Sequence, residues 1–514
     1  MQKHSKIAIS IVIMGFLGIV GWKFLEPYLV ELTQNKVSDA GEKGTLIVGL
    51  DGWVGYFPLC SPEFKRRMNR VGYGIRCVDD SADYKDRFKK LQRDEYHFVA
   101  ATVDSYLVNG RQYRYPGPIV AVLDESKGGD AIIARKAVIA NMDELKTAQN
   151  VKVAFTPNSP SHHLLKSVVS HFDIESLRSD SNFVYSEGSE QALKALRNGA
   201  ADIAIVWEPE VSKPVSNNEY VRLLGTEDTQ RLIVDILVAS QDMVRKQPDL
   251  IELFLKTYFS TLKYYRNNND DLVSDIARHY RIKEEIATSL LSGVEWVSLI
   301  SNAEIWFGTS TTTYTDQALV DSIDSAITVL LDNGDFNSNP LPNEDPYSLL
   351  NSGFVSRLYD TIGHSGGFTA PSTVNDKVKH FSSLSEKQWL LLKEVGSLKA
   401  RKIGFSSGTD LLTMEGKQQI DYLVEDLKHY PNFRIEIRGH TGTRGDHAAN
   451  QRLSENRADS VMRYLSITHD IEENRARSVG FGGTRPLKKK PGESNRAYNY
   501  RLPRVEIVLL REEV

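Results

Sequence analysis

Basic residues are not in excess in this chain, cysteine is nearly absent, and only one stretch is apolar for long enough to matter to a membrane. Each shortage excludes something. With 63 basic and 67 acidic residues and a net charge of -4, there is no global positive field to track a phosphate backbone, so nucleic acid is not an expected partner. The histidines and the two cysteines lack ligand spacing, and no nucleophile stands in a recognisable pattern with a base. Neither a metal, a cofactor nor an enzymatic activity is therefore expected. His162 and His163 are neighbours on one predicted helix and cannot both face one ion, so they read as surface or packing residues. At 514 residues the chain is too long for one ordinary core, and two or more domains are expected.

The apolar stretch, IAISIVIMGFLGIVGW, runs from Ile7 to Trp22 and continues past Lys23 through Phe24 and Leu25, about one bilayer span. Lys3 and Lys6 precede it and Glu26 and Glu31 follow, which puts the short N-terminus in the cytoplasm and the remainder outside. No A-x-A-like cleavage site follows, and no cysteine stands where a lipoprotein is acylated. An uncleaved single-pass inner-membrane anchor over residues 1–25 is the expectation, a cleaved signal peptide the alternative. Residues 26–44 read as a linker. Cys60 and Cys77 fall in the exported part, where either a disulfide or two buried thiols is possible chemistry.

Residues 45–331 alternate strand and helix signals. TLIVGL (Thr45 to Leu50) is a short buried-strand pattern ending in the loop DGWVGYFP. Tyr84, Phe88 and Leu91 have helical spacing before a second apolar run, His97 to Thr102. The same order recurs where Ala192, Leu193 and Leu196 precede Gly199 and the run Ala201 to Trp207. Two such units predict two similar lobes with parallel α/β sheets, whose ligands sit outside the carboxyl ends of the strands. Between them, Val151 to Phe155 leads to a helix with Ser159 as N-cap and Pro160 in its first turn, a seat for an anion or simply a cap.

The segments GLDGWVGYFPL, ATVDSYL, DESKGGDAI, PNSPSHHLL, ALRNGAADIAIVWEP and VDILVAS, in that order, resemble the nitrate/sulfonate/taurine-type periplasmic substrate-binding proteins from Leu46 to about Ser301. That resemblance implies a two-lobed type II periplasmic-binding-protein fold with a solute cleft lined or bordered by Trp53, Tyr56, Thr102, Asp104, Ser159, Trp207, Glu208 and Asp235. It also implies an anionic solute, although no Arg stands at these strand ends to clamp one.

From Asp332 the composition turns to DNGDFNSNPLPNEDPYS and later GHSGGFTAPSTVNDK, which predicts a linker over 332–385 around a docking segment, Leu349 to Tyr359. Residues 386–514 then read as strand, helix, strand, helix, strand. RKIGFSS is the first predicted strand, Ile420, Leu423, Val424 and Leu427 form one helical stripe, and Ile435 and Ile437 alternate with charges. The pattern is that of an α/β sandwich with one sheet face covered.

IGFSSGTDLLTMEGKQQI, IEIRGHT, the G-x4-N-x2-LS-x2-RA run and RVEI resemble the OmpA-like peptidoglycan-binding domain from Ser397 to about Leu510. In that family a loop and helix start hold the diaminopimelate of the stem peptide. The resemblance places Thr441, Asn450, Ser454 and Arg457 at the site, with Arg457 gripping the carboxylate. Two positions depart from the pattern. Gly442 stands where the family has the Asp that takes the ammonium, so Asp446 would have to replace it, and Leu502-Pro503 stands where Asn-Arg is usual. The structural alternative for Arg457 is an ion pair with Glu506.

Together these features describe a membrane-anchored periplasmic protein that binds a small solute and contacts peptidoglycan. The alternatives are the receptor of an ABC importer and a stator-like component of a membrane complex with a ligand-free binding fold; the last implies a membrane protein partner.

Overall fold

The computed structural model describes residues 43–178, 180–212, 218–309, 317–363, 380–399, 403–406, 408–490 and 492–512. The expected membrane anchor lies outside them, and among the described residues no helix is long and apolar enough to cross a membrane.

The chain builds β1 (Gly44–Leu50), β2 (Tyr73–Asp79), β3 (Phe98–Thr102) and β4 (Ile119–Ser126), then passes to a second sheet. There it forms β5 (Asp130–Arg135), β6 (Val153–Phe155), β7 (Phe183–Tyr185), β8 (Ile203–Trp207) and β9 (Tyr220–Gly225). It returns to the first sheet as β10 (Val234–Ala239) and β11 (Val294–Trp296). The strand orders are β11-β4-β10-β3-β1-β2 and β7-β6-β8-β5-β9.

Both sheets are mixed, where the strand-helix alternation predicts parallel ones. Returning from the second lobe, β10 inserts between β3 and β4 and runs against both, while β5 runs against β8 and β9. The remaining pairs of β1, β2 and β3, and of β6, β7 and β8, are parallel. All residues of β3, β4 and β10 are buried, as expected for strands covered on both faces. Helices pack on them through aromatic contacts: Phe254 of the Pro248–Asn267 helix stacks on Phe98 at 4.1 Å and meets Phe64 edge-on at 5.1 Å. Cys60 and Cys77 are disulfide-bonded with Cα atoms 6.1 Å apart, the first of the two chemistries considered above, and tie the Phe57–Cys60 turn to β2.

The stretch expected to be a linker from residue 332 is folded onto the first lobe as far as the Gly353–Gly363 helix. Phe336, Leu341, Leu349, Phe354, Val355 and Leu358 enter that lobe's core, and Leu350 bridges Ile119. Up to Leu341 its apolar residues are set singly among Pro, Asn and Asp, so no period marks them, and the remaining contacts come from the expected docking segment, Leu349 to Tyr359.

The C-terminal sheet has the order β12 (Lys393–Ser397), β15 (Arg504–Arg511), β13 (Arg434–His440), β14 (Ala476–Gly480). Helices Met414–Lys428 and His447–His469 pack against it through Ile420, Leu423, Val424, Leu427, Ala458, Val461 and Leu465. The predicted strand at RKIGFSS is not formed among its described residues: Phe405 makes only an isolated bridge to Leu412, and Lys393–Ser397 takes the edge position. That strand carries two charges and a glycine, which hides it from a propensity reading.

Gly396 shows why the edge strand tolerates glycine. A Cβ there would come within 2.9 Å of Met142 and 3.2 Å of Phe172 in the second lobe. The second lobe and the C-terminal domain accordingly share one apolar core, with Phe172, Leu165 and Leu145 meeting Val395, Leu398 and Tyr430. Polar contacts reinforce the junction: Lys146 donates to Ser397 Oγ at 2.7 Å and His171 Nδ1 lies 2.8 Å from the Tyr430 hydroxyl, while His429 Nε2 lies 2.7 Å from Ser325 Oγ on the Ala318–Asp332 helix, whose apolar residues belong to the first lobe's core.

Candidate functional site

At the carboxyl ends of the parallel strands in the first lobe, ladder register sets three polar residues side by side. Asp235 on β10 is opposite Thr102 on β3 and Asp124 on β4. Cross-strand partners project from the same face of a sheet, so the three share one face, and Thr102 and Asp235 border the space between the lobes. Asp51 follows directly on β1. Each carboxylate is engaged by a neighbour. Trp53 Nε1 donates to Asp124 Oδ1 at 2.9 Å, the Tyr56 hydroxyl donates to Asp235, and Asp51 accepts from the Tyr84 hydroxyl at 3.1 Å and from Arg87 at 3.0 Å. Arg87 is fully buried and also donates to Asp80 and to the Ala100 carbonyl.

The second lobe faces this row with Asp130 and Trp207, which are paired across β5 and β8. Asp130 is 3% exposed, and its Oδ2 accepts from Ser126 Oγ at 2.6 Å. Around the space between the lobes stand Asp51, Trp53, Tyr56, Tyr84, Thr102 and Asp130, completed by Pro160, Trp207, Ile233 and Asp235. The walls leave about 20 Å³, room for about one water.

Burial dominates the electrostatics. It pushes the Asp124 and Asp130 carboxyls up to about 7, and Asp235 is raised as well by burial and then by the charge of Asp124 beside it. Asp104 and Glu208 add to the pressure on Asp130. Charge withdrawn from water without a full set of partners is costly, and protonation is the usual relief.

Of the eight residues implied by the first resemblance, Trp53, Tyr56, Thr102, Trp207 and Asp235 surround this space. The other three lie beside it. Asp104 is buried in the first turn of the Val103–Gly110 helix, Ser159 donates to the Thr156 carbonyl rather than capping through its side chain, and Glu208 turns to Ser212. Asp51, Tyr84, Asp124 and Asp130 are added by the structure.

In the C-terminal domain, Arg457 is half-buried on the His447–His469 helix. Its Nε donates to the Thr409 carbonyl at 3.1 Å and its guanidinium lies 4.9 Å from the centre of the Phe405 ring. Glu506, the considered ion-pair partner, instead accepts from Arg504 at 2.6 Å. No ion pair of Arg457 occurs among the described residues.

Residues 404–500 match the OmpA family. Over 83 residues the chain is 36% identical to outer membrane porin F of Pseudomonas aeruginosa, which covers 16% of this chain and 24% of that protein. Over 86 residues it is 28% identical to the peptidoglycan-associated lipoprotein of Brucella melitensis biotype 1, covering 17% of this chain and 51% of that protein. The chain thus spans between about a quarter and half of the length of these curated relatives. Among solved structures, it is similar to the alkanesulfonate-binding protein of Xanthomonas axonopodis pv. citri bound to MOPS, at 13% identity with a TM-score of 0.44, over 59% of this chain and 96% of that chain.

Within the OmpA domain the remaining residues of the second resemblance divide into supports and groups near the surface. Ser454 is fully buried, donates to the Gln451 carbonyl and accepts from the Gly482 amide, fastening the helix to the turn after β14. The helix can lie this close because β13 offers Gly439, where a Cβ would stand 2.0 Å from the Ser454 carbonyl oxygen. Thr441 is buried at the strand end and Asn450 donates to the Arg444 carbonyl. Asp446 is committed to the helix start, its carboxylate accepting from the Ala449 amide at 2.7 Å. Beside it Gly442 faces open space, with nothing within 4 Å of where a Cβ would stand.

Proposed function

We propose that this chain is an envelope receptor, anchored in the inner membrane by its N-terminal apolar run, that binds a small solute between its lobes and contacts the stem peptide of peptidoglycan through its OmpA domain. The observation that carries this reading is the shared core of the second lobe and the OmpA domain. Through it a wall contact would hold the solute-binding module at a fixed station rather than on a loose tether. The two groups that would meet ligands are of the right kind: aromatic walls with carboxylates in the cleft, and on the OmpA domain a guanidinium without an ion-pair partner among the described residues. The peptidoglycan names borne by relatives such as the Brucella lipoprotein support the second half.

A second reading keeps the wall contact and makes the binding fold a ligand-free structural piece of a membrane complex. It is favoured by the closeness of the cleft walls, which leave about 20 Å³. Thermal unfolding of the full chain with a library of small solutes separates the two. A receptor gains stability with at least one solute, and Trp53→Ala and Trp207→Ala each weaken that response through loss of a contact worth about 1–3 kcal/mol. No stabilisation by any solute would favour the ligand-free fold.

A further inference from the structure

We propose that the interlobe cleft is built for a small organic cation, an ammonium-bearing solute held between Asp130 of the second lobe and Asp235 of the first. The proposal rests on the receptor reading and names the chemical class of its solute. The class is opposite to the anion implied by the sequence resemblance.

The charge of the lining decides the sign. Asp130 and Asp235 stand on the wall without a cation of their own, Asp51 being paired with the buried Arg87, and the lining has no Lys or Arg. Arg87, behind the wall, is committed to Asp51, Asp80 and a backbone carbonyl. An anion also needs donors, and the side-chain donors of the first-lobe wall are in use: Trp53 Nε1 serves Asp124, the Tyr56 hydroxyl serves Asp235, the Tyr84 hydroxyl serves Asp51 and the Thr102 hydroxyl serves Ser105.

What the cleft has to offer is acceptors. Asp130 Oδ1 is buried on the cleft wall and has no hydrogen-bond partner among the described residues. A buried carboxylate oxygen without a donor is costly, and an ammonium group supplies both the donors and the opposite charge, taking the place of the proton that burial otherwise favours on these carboxyls. Trp53, Tyr56 and Trp207 line the same space with aromatic side chains, the residue type on which a cation rests. Among the described residues no group of three or more His, Cys, Asp or Glu side chains is arranged to hold a metal ion, so the cation is organic. Because the walls leave only about 20 Å³, the lobes part to admit it and close on it.

The test is isothermal titration of the full chain with putrescine and choline on one side and methanesulfonate and nitrate on the other, with tryptophan fluorescence as a second readout. At least one amine is expected to bind and both anions to fail. Asp130→Asn and Asp235→Asn should each lower amine affinity about ten-fold or more, with thermal unfolding equal to or above that of the parent chain because each replaces a buried carboxylate. Binding of an anion with no amine would overturn the cation assignment while leaving the solute site standing. Binding of neither class would overturn both. Amine binding unchanged in both folded variants would place the amine outside this cleft.

Discussion

In the interlobe cleft the polar groups are buried and hold one another, whereas on the OmpA domain Arg457 rests half-buried on a carbonyl and an aromatic ring with no ion-pair partner among the described residues. The cleft therefore carries its chemistry as part of its own stability, and the OmpA loop carries it as an addition that folding does not require. Substitutions that strand a buried charge should act on unfolding in the first case, and substitutions in the second should act on binding alone.

The largest loss is expected at Arg87. Arg87→Met leaves Asp51 and Asp80 buried without their cation, which costs about 3–5 kcal/mol, measured by denaturant unfolding. Arg457→Ala should change stability by less than about 0.5 kcal/mol; equal losses at the two arginines would erase the distinction. Next in size, replacing Cys60 and Cys77 together by Ser should cost about 3 kcal/mol, by the loop-entropy estimate for a short closed loop, and the loss should lie in the first-lobe transition.

The seam between the two regions titrates. Burial, and then the neighbouring His171, hold the His429 imidazole down at about 4, while Asp426 and the Gln230 carbonyl oppose this. The unfolded chain takes up this proton near pH 6.5 and the folded chain does not until about 4. The stabilising effect of a neutral His429 is therefore full above about pH 6.5 and is lost as pH falls from there toward 4. His429→Gln should flatten that part of the stability profile between pH 7 and 4.5 by on the order of 2 kcal/mol, relative to the parent chain.

How legible each region is in sequence follows from the same contrast. The OmpA domain is written in contiguous runs, so IEIRGHT and the helix from Asn450 to Arg457 place a strand end and a helix start together without knowledge of the fold. The cleft is assembled by strand register. β4 is buried along its whole length, so no alternation says whether Asp124 or Glu125 joins Asp235, and Asp130 comes to the same space as Asp235 only because the chain crosses between sheets. The aromatic residues at the strand ends, Thr102 and Asp235 are within reach of a sequence reading; Asp124 and Asp130 are not. The edge strand Lys393–Ser397 escaped for a simpler reason, that its few apolar residues are held by distant partners rather than by local period, and so did Phe336 and Leu341 ahead of the expected docking segment.

The smallest effect on folding is expected at Gly442. A side chain there meets nothing within 4 Å, so Gly442→Asp should leave stability within about 0.5 kcal/mol while strengthening attachment to the wall by restoring an acid opposite Arg457. Asp446→Ala should instead weaken the helix start by about 1 kcal/mol with little effect on attachment, since that carboxylate is occupied by the Ala449 amide.

Co-sedimentation of the detergent-solubilised full chain with purified sacculi puts the wall contact to the proof. The parent chain should pellet weakly, Gly442→Asp more strongly, and Arg457→Ala about ten-fold less than the parent, the loss of one charge-assisted hydrogen bond of about 1.5–3 kcal/mol. Pelleting of Arg457→Ala equal to that of the parent would mean that this face of the OmpA domain does not touch peptidoglycan.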